Sequence, residues 1–446
     1  MKNVIFISPN FPANYWLFCR ELKRNDMNVL GIGDQPYEEL TDELKDSLNE
    51  YFWVSNLEND EEVYRAVAFL IYKHGRIDWL ESNNEYWLER DARLRTDFHI
   101  TSGFQEEDIP RIKYKSKMKE YYQRAGIPVA RYHMVDTLDE CLAFAAEVGY
   151  PVVAKPDNGV GASHTFKIED EQQMRRFFLD KWQDISYIME EFVDGEVNSY
   201  DAIIDSRGEP LFETGNVTPM SIMDIVNNKD NSIFYIRKKL PDDIREMGRA
   251  AVKSFGVRSR FIHFEFFRLL RDQEGLGKKG DVTALEVNMR PSGGVTPDMI
   301  NFAHSTDVYK IWADMIAFDF STTPAGKHSY CAFVGRRDGK DFVMKHTDIL
   351  EKYHSHLRMA ERIPDVLSGA MGNQMYIAVF DTEEEMNDYY DNMLKCRKEV
   401  SDEKGKGAVE EPVAAAEKNE SAEAAAREAT KAAAAANEEA ASSLEK

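Results

Sequence analysis

The stretch TALEVNMRPSGG, Thr283 to Gly294, alternates apolar and polar side chains and then runs into a proline, a serine and paired glycines. Alternation is the period of a strand, and on an unbroken strand it puts Ala284, Glu286, Asn288 and Arg290 on one face and Leu285, Val287 and Met289 on the other. One face suits a core and the other a site. A half-exposed strand with solvated polar residues is the commoner reading of such a pattern. It is weakened by Glu265, set among aromatic residues in FIHFEFF (Phe261 to Phe267), where an unpaired carboxylate would be costly to bury.

Two carboxylates and an amide oxygen brought together from neighbouring strands make a hard-oxygen cage suited to magnesium, which keeps waters and takes further ligands from phosphates. Glu265, Glu286 and Asn288 would supply it, and Arg290 on the same face could hold a phosphate or carboxylate through its planar fork. Upstream, VVAKPDNGVGASH (Val152 to His164) offers Lys155 at a strand end, then Gly159, Gly161 and Ser163 in a small polar loop. Glycines let backbone N–H groups turn toward phosphate oxygens. A hairpin with a glycine turn looks the same and is commoner, and this is no Walker A loop, because glycine, lysine and a hydroxyl residue do not follow in direct succession. YIMEEFVDGE (Tyr187 to Glu196) reads as a strand entering a tight turn that could present backbone to an adenine edge, with Ile188 and Phe192 as apolar walls; an edge strand with exposed charges fits equally well.

Around these segments, KNVIFIS (Lys2 to Ser8), NVLGIG and IDWLES read as strands, and ANYWLFCRELKRNDM and EEVYRAVAFLIYKHG as helices, so residues 1–112 are expected to form an open α/β domain. SPNFPAN after the first strand has no glycine, so a Rossmann-like shape carries no implied dinucleotide. KYKSKMKEYYQRAGIP (Lys113 to Pro128) is a basic amphipathic helix stopped at Gly126, and TLDECLAFAAEVG repeats the pattern. QMYIAVF and EEEMNDYYDNMLK give a last strand and helix. Residues 397–446, rich in Ala, Glu and Lys without an apolar stripe, read as a mobile, partly helical tail.

With 446 residues and 43% hydrophobic content the chain can bury a large core. No uncharged apolar run is long enough for a bilayer, and Cys19, Cys141, Cys331 and Cys396 are too scattered for a disulfide framework or a zinc site, so a cytoplasmic protein without a membrane partner is expected. The net charge of −23 argues against nucleic acid.

In order, the basic helix with Lys115, Lys155 with its glycine loop, MEEFVDG, Glu265 and LEVNMRPSGG resemble the ATP-grasp superfamily, close to its carbamoyl-phosphate-synthetase-like and amino-acid-ligase branches. The resemblance covers about residues 113–320 and implies a fold of α/β and α+β character: an N-terminal Rossmann-like pre-ATP-grasp domain (1–112), then a two-lobed ATP-grasp fold with lobes at 113–200 and 201–396. It implies that Lys115 and Lys155 touch ATP phosphates, that 159–163 forms a mobile lid, and that Glu190, Glu191, Phe192 and Val193 receive adenine. Glu265, Glu286 and Asn288 would hold magnesium, with manganese an acceptable substitute, and Arg290 would stabilise the transferred phosphate. One departure stands out: where many members carry a ribose-binding glutamate two residues past the hinge glycine this chain has Val197, so either Glu196 takes the role through a shifted strand or the ribose is held otherwise.

The implied activity is ATP-dependent ligation of a small carboxylic or amino acid to an amine through an acyl phosphate, by a chain compatible with a homodimer. A bicarbonate-activating, biotin-carboxylase-like subunit and a non-catalytic ATP-binding regulator are the alternatives. The carboxylate is expected near Arg290 and the PSGG turn, with the polar stretch Phe212 to Ser232 lining the acceptor pocket and Lys238 and Lys239 as secondary contacts or a solvated basic turn. His263 and His304 read as structural.

Overall fold

A computed structural model describes residues 1–159, 164–181, 184–219 and 230–397. Gly161 and Ser163, residues 220–229 of the expected acceptor stretch and the tail beyond Arg397 lie outside the described residues. Residues Met1–Cys396 form one compact unit.

The chain opens with four parallel strands, β1 (Asn3–Ile7), β2 (Asn28–Gly33), β3 (Glu50–Trp53) and β4 (Trp79–Glu81), in the order β3-β2-β1-β4. Helices Trp16–Arg24 and Asp60–His74 provide crossovers, and β2 is buried along its whole length, as a parallel strand covered on both faces should be. The Asp60–His74 helix starts where the Asn59 side chain accepts from the Glu62 amide and stops at Gly75, whose φ of 82° suits glycine. The expected Rossmann-like strands and helices are present; β3 and the Leu88–Asp97 helix are additions to the sequence reading.

A second, antiparallel sheet joins β5 (Tyr132–Met134), β6 (Val152–Pro156), β7 (Phe166–Ile168) and β8 (Tyr187–Glu191) in the order β5-β8-β6-β7. The single basic helix expected from Lys113 divides in two. Ile109–Lys113 ends at Tyr114, which is extended (φ −88°, ψ 118°), and Lys115–Arg124 starts immediately after it, so Lys115 stands in the first turn.

The third sheet has nine strands among the described residues: β9 (Gly195–Ile204), β10 (Pro210–Thr214), β11 (Asn216–Thr218), β12 (Ser232–Ile236), β13 (Arg260–Leu269), β14 (Val282–Asn288), β15 (Tyr330–Arg336), β16 (Leu357–Arg362) and β17 (Gln374–Phe380). The order is β14-β13-β9-β11-β12-β15-β17-β16, with β10 beside β9. The polar stretch from Phe212 expected to line the acceptor pocket is thus partly β10, β11 and the start of β12. Helix Asp242–Phe255 lies so close to β9 that a Cβ on Gly248 would come within 2.2 Å of the Tyr200 ring. Among the described residues no helix is long and apolar enough to cross a membrane.

The strand that opened the sequence reading is not regular. Glu265 pairs with Glu286 but Phe266 pairs with Ala284, so Leu285 is an extra residue at a β-bulge. The expected grouping of Ala284 with Glu286 is therefore wrong: Ala284 joins Val287 and Met289 in the core against Met118 and Tyr122, while Glu286 and Asn288 face the other way. Arg260 ties β13 to the first sheet, with one guanidinium nitrogen 2.5 Å from Glu81 and another donating to the Met289 carbonyl at 2.6 Å.

Candidate active site

Three adjacent strands build the acidic centre. Ser199 on β9, Glu265 on β13 and Glu286 on β14 form one transverse row; Asp201, His263 and Asn288 form the next. His263, read from sequence as structural, has a partner at each ring nitrogen: Nδ1 lies 2.7 Å from Asp201 and Nε2 2.9 Å from Glu265. Burial drives the His263 pKa down, but Asp201 and Glu265 outweigh it and raise it to about 9, so the ring is a cation at neutral pH. Burial likewise opposes ionisation of Glu265, and the His263 hydrogen bond and charge overcome it, holding the carboxyl below its usual range.

Glu265 and Glu286 bring two like charges directly opposite each other, an arrangement that disfavours the strand pair unless a cation joins them. Asn288 donates to Glu286 at 3.5 Å and receives Arg290 on its amide oxygen at 3.3 Å. Among the described residues no three His, Cys, Asp or Glu side chains cluster as a complete cage. Two carboxylates and an amide oxygen fit magnesium, which needs few protein ligands beside phosphate and water.

Above this centre sit three buried lysines, one of them missed in the sequence. Glu190 is gripped on both oxygens, by Lys119 at 2.9 Å and by Lys155 at 2.9 Å. Burial alone would raise the Glu190 pKa; the two ammonium groups instead bring it to about 2. Lys119 and Lys115 are depressed by burial against the pull of nearby carboxylates, whereas for Lys155 the attraction of Glu190 and Glu286 exceeds the cost of burial and raises its pKa. Lys115 Nζ donates to the Gly159 carbonyl at 2.8 Å and lies 3.7 Å from Glu286. Its helix is docked there because the Lys115 amide donates to the Asp157 carbonyl at 2.8 Å, while Ser116 donates to both Asp157 carboxylate oxygens at 2.7 and 2.8 Å. A Cβ on Gly159 would come within 2.8 Å of Pro156, so the loop entry requires glycine.

In the hinge, the Glu191 side chain is committed to Arg131, which donates from its backbone at 2.6 Å and its guanidinium at 2.7 Å. Val193 is buried with Ala130, Leu269 and Leu276. Glu196 pairs with Arg268 in an unbroken β9–β13 register, out of phase with Ser199 and Asp201. No shift turns it toward their face. Its carboxylate receives Asn198 at 3.2 Å and lies 3.8 Å from Arg237.

At the opposite rim Arg290 donates to the Pro291 carbonyl at 2.9 Å and lies 3.7 Å from Glu85, in the loop after β4; Lys113 lies 3.5 Å from the same carboxylate. The PSGG turn meets the loop after β1, where Asn14 donates to the Gly294 carbonyl at 3.2 Å. The first sheet therefore brings its carboxyl-end loops to the place expected for the substrate carboxylate, as open α/β sheets do for ligands. Lys238 Nζ donates to the Asp381 carbonyl at 2.9 Å and Lys239 is exposed, so this pair is a surface turn. His304 has partners in Thr214 at 2.6 Å and His328 at 3.0 Å.

The three-sheet arrangement is that of the ATP-grasp fold, with the paired acids under buried lysines set within it. The family model described as "Carbamoyl-phosphate synthase L chain, ATP binding domain" matches residues 114–192. The chain is 23% identical over 318 residues to the L-arginine-specific L-amino acid ligase of Bacillus subtilis, spanning 67% of this chain and 71% of the relative. The N-terminal section of the carbamoyl phosphate synthase large chain of Methanopyrus kandleri is 25% identical over 201 residues, spanning 43% of this chain and 33% of the relative. Among solved structures, an L-amino acid ligase from Bacillus licheniformis superposes with a TM-score of 0.63 at 14% identity, covering 87% of this chain and 96% of the other.

Proposed function

We propose that the protein is an ATP-dependent carboxylate–amine ligase that activates a small carboxylic or amino acid as its acyl phosphate and joins it to an amine. The facing pair Glu265 and Glu286, with Asn288 beside it, carries this reading. Two opposed carboxylates disfavour a strand pair, and even with His263 on one and Lys115 near the other they suit an enzyme that handles a metal-bound triphosphate.

Bound magnesium would neutralise charge on the phosphates, held by Glu265, Glu286 and Asn288. His263 fixes the Glu265 carboxylate by donating to it and is itself held by Asp201. Lys115 and Lys155 come from a helix start and a strand end to the same edge of the acidic centre, where their charges would bind the triphosphate. Arg290, steadied by the Pro291 carbonyl and by Glu85, is placed to orient the carboxylate and meet the growing charge of the transferred phosphoryl group. The amine then attacks the acyl carbon and phosphate leaves; no protein nucleophile is needed. Glu190, Glu191, Phe192 and Val193 form the adenine side, their loop partners outside the described residues being Gly161 and Ser163.

The test is release of ADP and phosphate by purified protein with ATP and magnesium over pools of amino acids and other small carboxylates and amines. Turnover that needs one acid and one amine, and that vanishes in Glu286→Gln, establishes the ligase. ATP binding without turnover in any pool would turn the reading toward a regulator.

A further inference from the structure

The loop between β13 and β14 grips the hinge at several points. The Gln273 side chain does so twice: its Nε2 donates to the Phe192 carbonyl at 3.0 Å and its Oε1 accepts from the Asp194 amide at 2.7 Å. Leu270 N–H donates to the Asp194 carbonyl at 2.9 Å, and Arg271 pairs with the Asp194 carboxylate at 2.8 Å. Gln273 is held in turn, its own N–H donating to the Gly277 carbonyl at 2.9 Å and its carbonyl accepting from Gly277 at 3.0 Å. Leu276 of the same loop packs in one cluster with Val193.

A single amide side chain therefore fixes the peptide groups on both sides of Val193. Among the described residues the Val193 N–H itself has no hydrogen-bond partner, although the residue is buried. An unspent donor in a buried residue between two fixed peptides is unusual, because the backbone N–H groups of such residues are nearly always paired. It has the chemistry to meet a ring nitrogen that accepts, as N1 of adenine does, and to reject guanine, whose N1 carries a hydrogen.

We propose that Gln273 is a positioning residue for base recognition: it clamps Phe192 and Asp194 so that the Val193 N–H is presented to adenine, and through that donor it sets the preference for ATP over GTP. This rests on the reading of Glu190 to Val193 as the nucleotide hinge. The clamp lies about 80 residues along the chain from the hinge it serves, so no local motif announces it.

The experiment measures equilibrium binding of ATP and GTP to the full chain and to Gln273→Leu, Gln273→Glu and Gln273→Asn, with melting temperature recorded without nucleotide. Wild-type protein that binds neither nucleotide would overturn the hinge reading, and the clamp with it. If wild type binds ATP, Gln273→Leu is expected to weaken ATP about tenfold, as loss of two neutral hydrogen bonds would, while GTP affinity changes little and the ATP/GTP ratio falls. Gln273→Glu keeps the acceptor for Asp194 and loses the donor to Phe192, so it should fall between the two. In turnover the loss should appear in KM for ATP more than in kcat. An unchanged ATP/GTP ratio in Gln273→Leu, or equal loss of both nucleotides together with a large fall in melting temperature, would overturn the clamp while leaving the hinge reading intact.

Discussion

Glu265 and Glu286 face each other across β13 and β14 as a register pair, and the bulge at Leu285 falls on the very next step of the ladder. Removing one of the two charges should separate function from folding. Glu286→Gln is expected to lower magnesium-dependent ADP release about 100-fold or more. Without metal its melting temperature should change little, because relief of the like-charge pair, worth roughly 0.2–1 kcal/mol, is set against the loss of a carboxylate facing Lys115. Calorimetry with and without magnesium and nucleotide reads both effects; a metal-free loss as large as that of Glu190→Gln would count against the paired-acid site.

Glu190 has its pKa brought to about 2 by Lys119 and Lys155. A carboxylate depressed in the folded state adds stability above its unfolded pKa and loses it as pH falls toward the folded value. The wild type should therefore lose on the order of 3 kcal/mol between about pH 4.5 and pH 2 through this group. Glu190→Gln should remove that portion of the acid slope and leave two buried lysines uncompensated at neutral pH. Lys119→Met should destabilise by about 3–5 kcal/mol, and the double variant should be less damaged than the sum of the two. Urea titration at several pH values checks each statement.

His304 titrates in a different window. Burial first, and His328 beside it second, lower its pKa to about 4. A histidine depressed in the folded state costs nothing above its unfolded value near 6.5 and progressively destabilises as pH falls from there to 4. The protein should lose stability over that range before the Glu190 carboxylate titrates, and His304→Gln should flatten the pH 6.5 to 4 portion alone. A slope unchanged by the substitution would mean that burial and His328 do not keep the ring neutral.

Glu196 lies out of phase with Ser199 and Asp201 and faces Asn198 and Arg237. Glu196→Ala should leave ATP affinity within about threefold, the scale of a lost exposed ion pair. A tenfold or larger loss, measured by equilibrium binding, would restore it as a ribose ligand.

Much of this was legible in local sequence. The strands around Glu265, Glu286 and Glu190 show their period, and the helices announce themselves by Asn59 and Thr137 caps and by glycines such as Gly75, Gly126 and Gly149. What stayed hidden depends on pairing between distant segments. Asp201 meets His263 through the β9–β13 register, Lys119 meets Glu190 through the docking of a helix on the small sheet, and Gln273 reaches the hinge from another hairpin. The His263 side chain shares its face with Glu265 two positions later, and that spacing was the one available hint. The Leu285 bulge left no compositional mark at all, because both an interrupted and a regular strand read as alternation over so short a run.

That extra residue bends the strand where the site begins. Upstream of Leu285, Val282 and Ala284 face the core; downstream, Val287 and Met289 do. Were Leu285 deleted, the two halves would join in simple alternation with every side chain still on its present face, and the core would be served as well as before. The ladder would close without a gap, Phe266 opposite Ala284 and Glu265 opposite Glu286 on the next step, so the two carboxylates would still stand abreast. What the extra peptide unit supplies is a bend and added twist at the edge of the site, so a chain shortened there would keep its ligands in order while aiming them along a straighter strand.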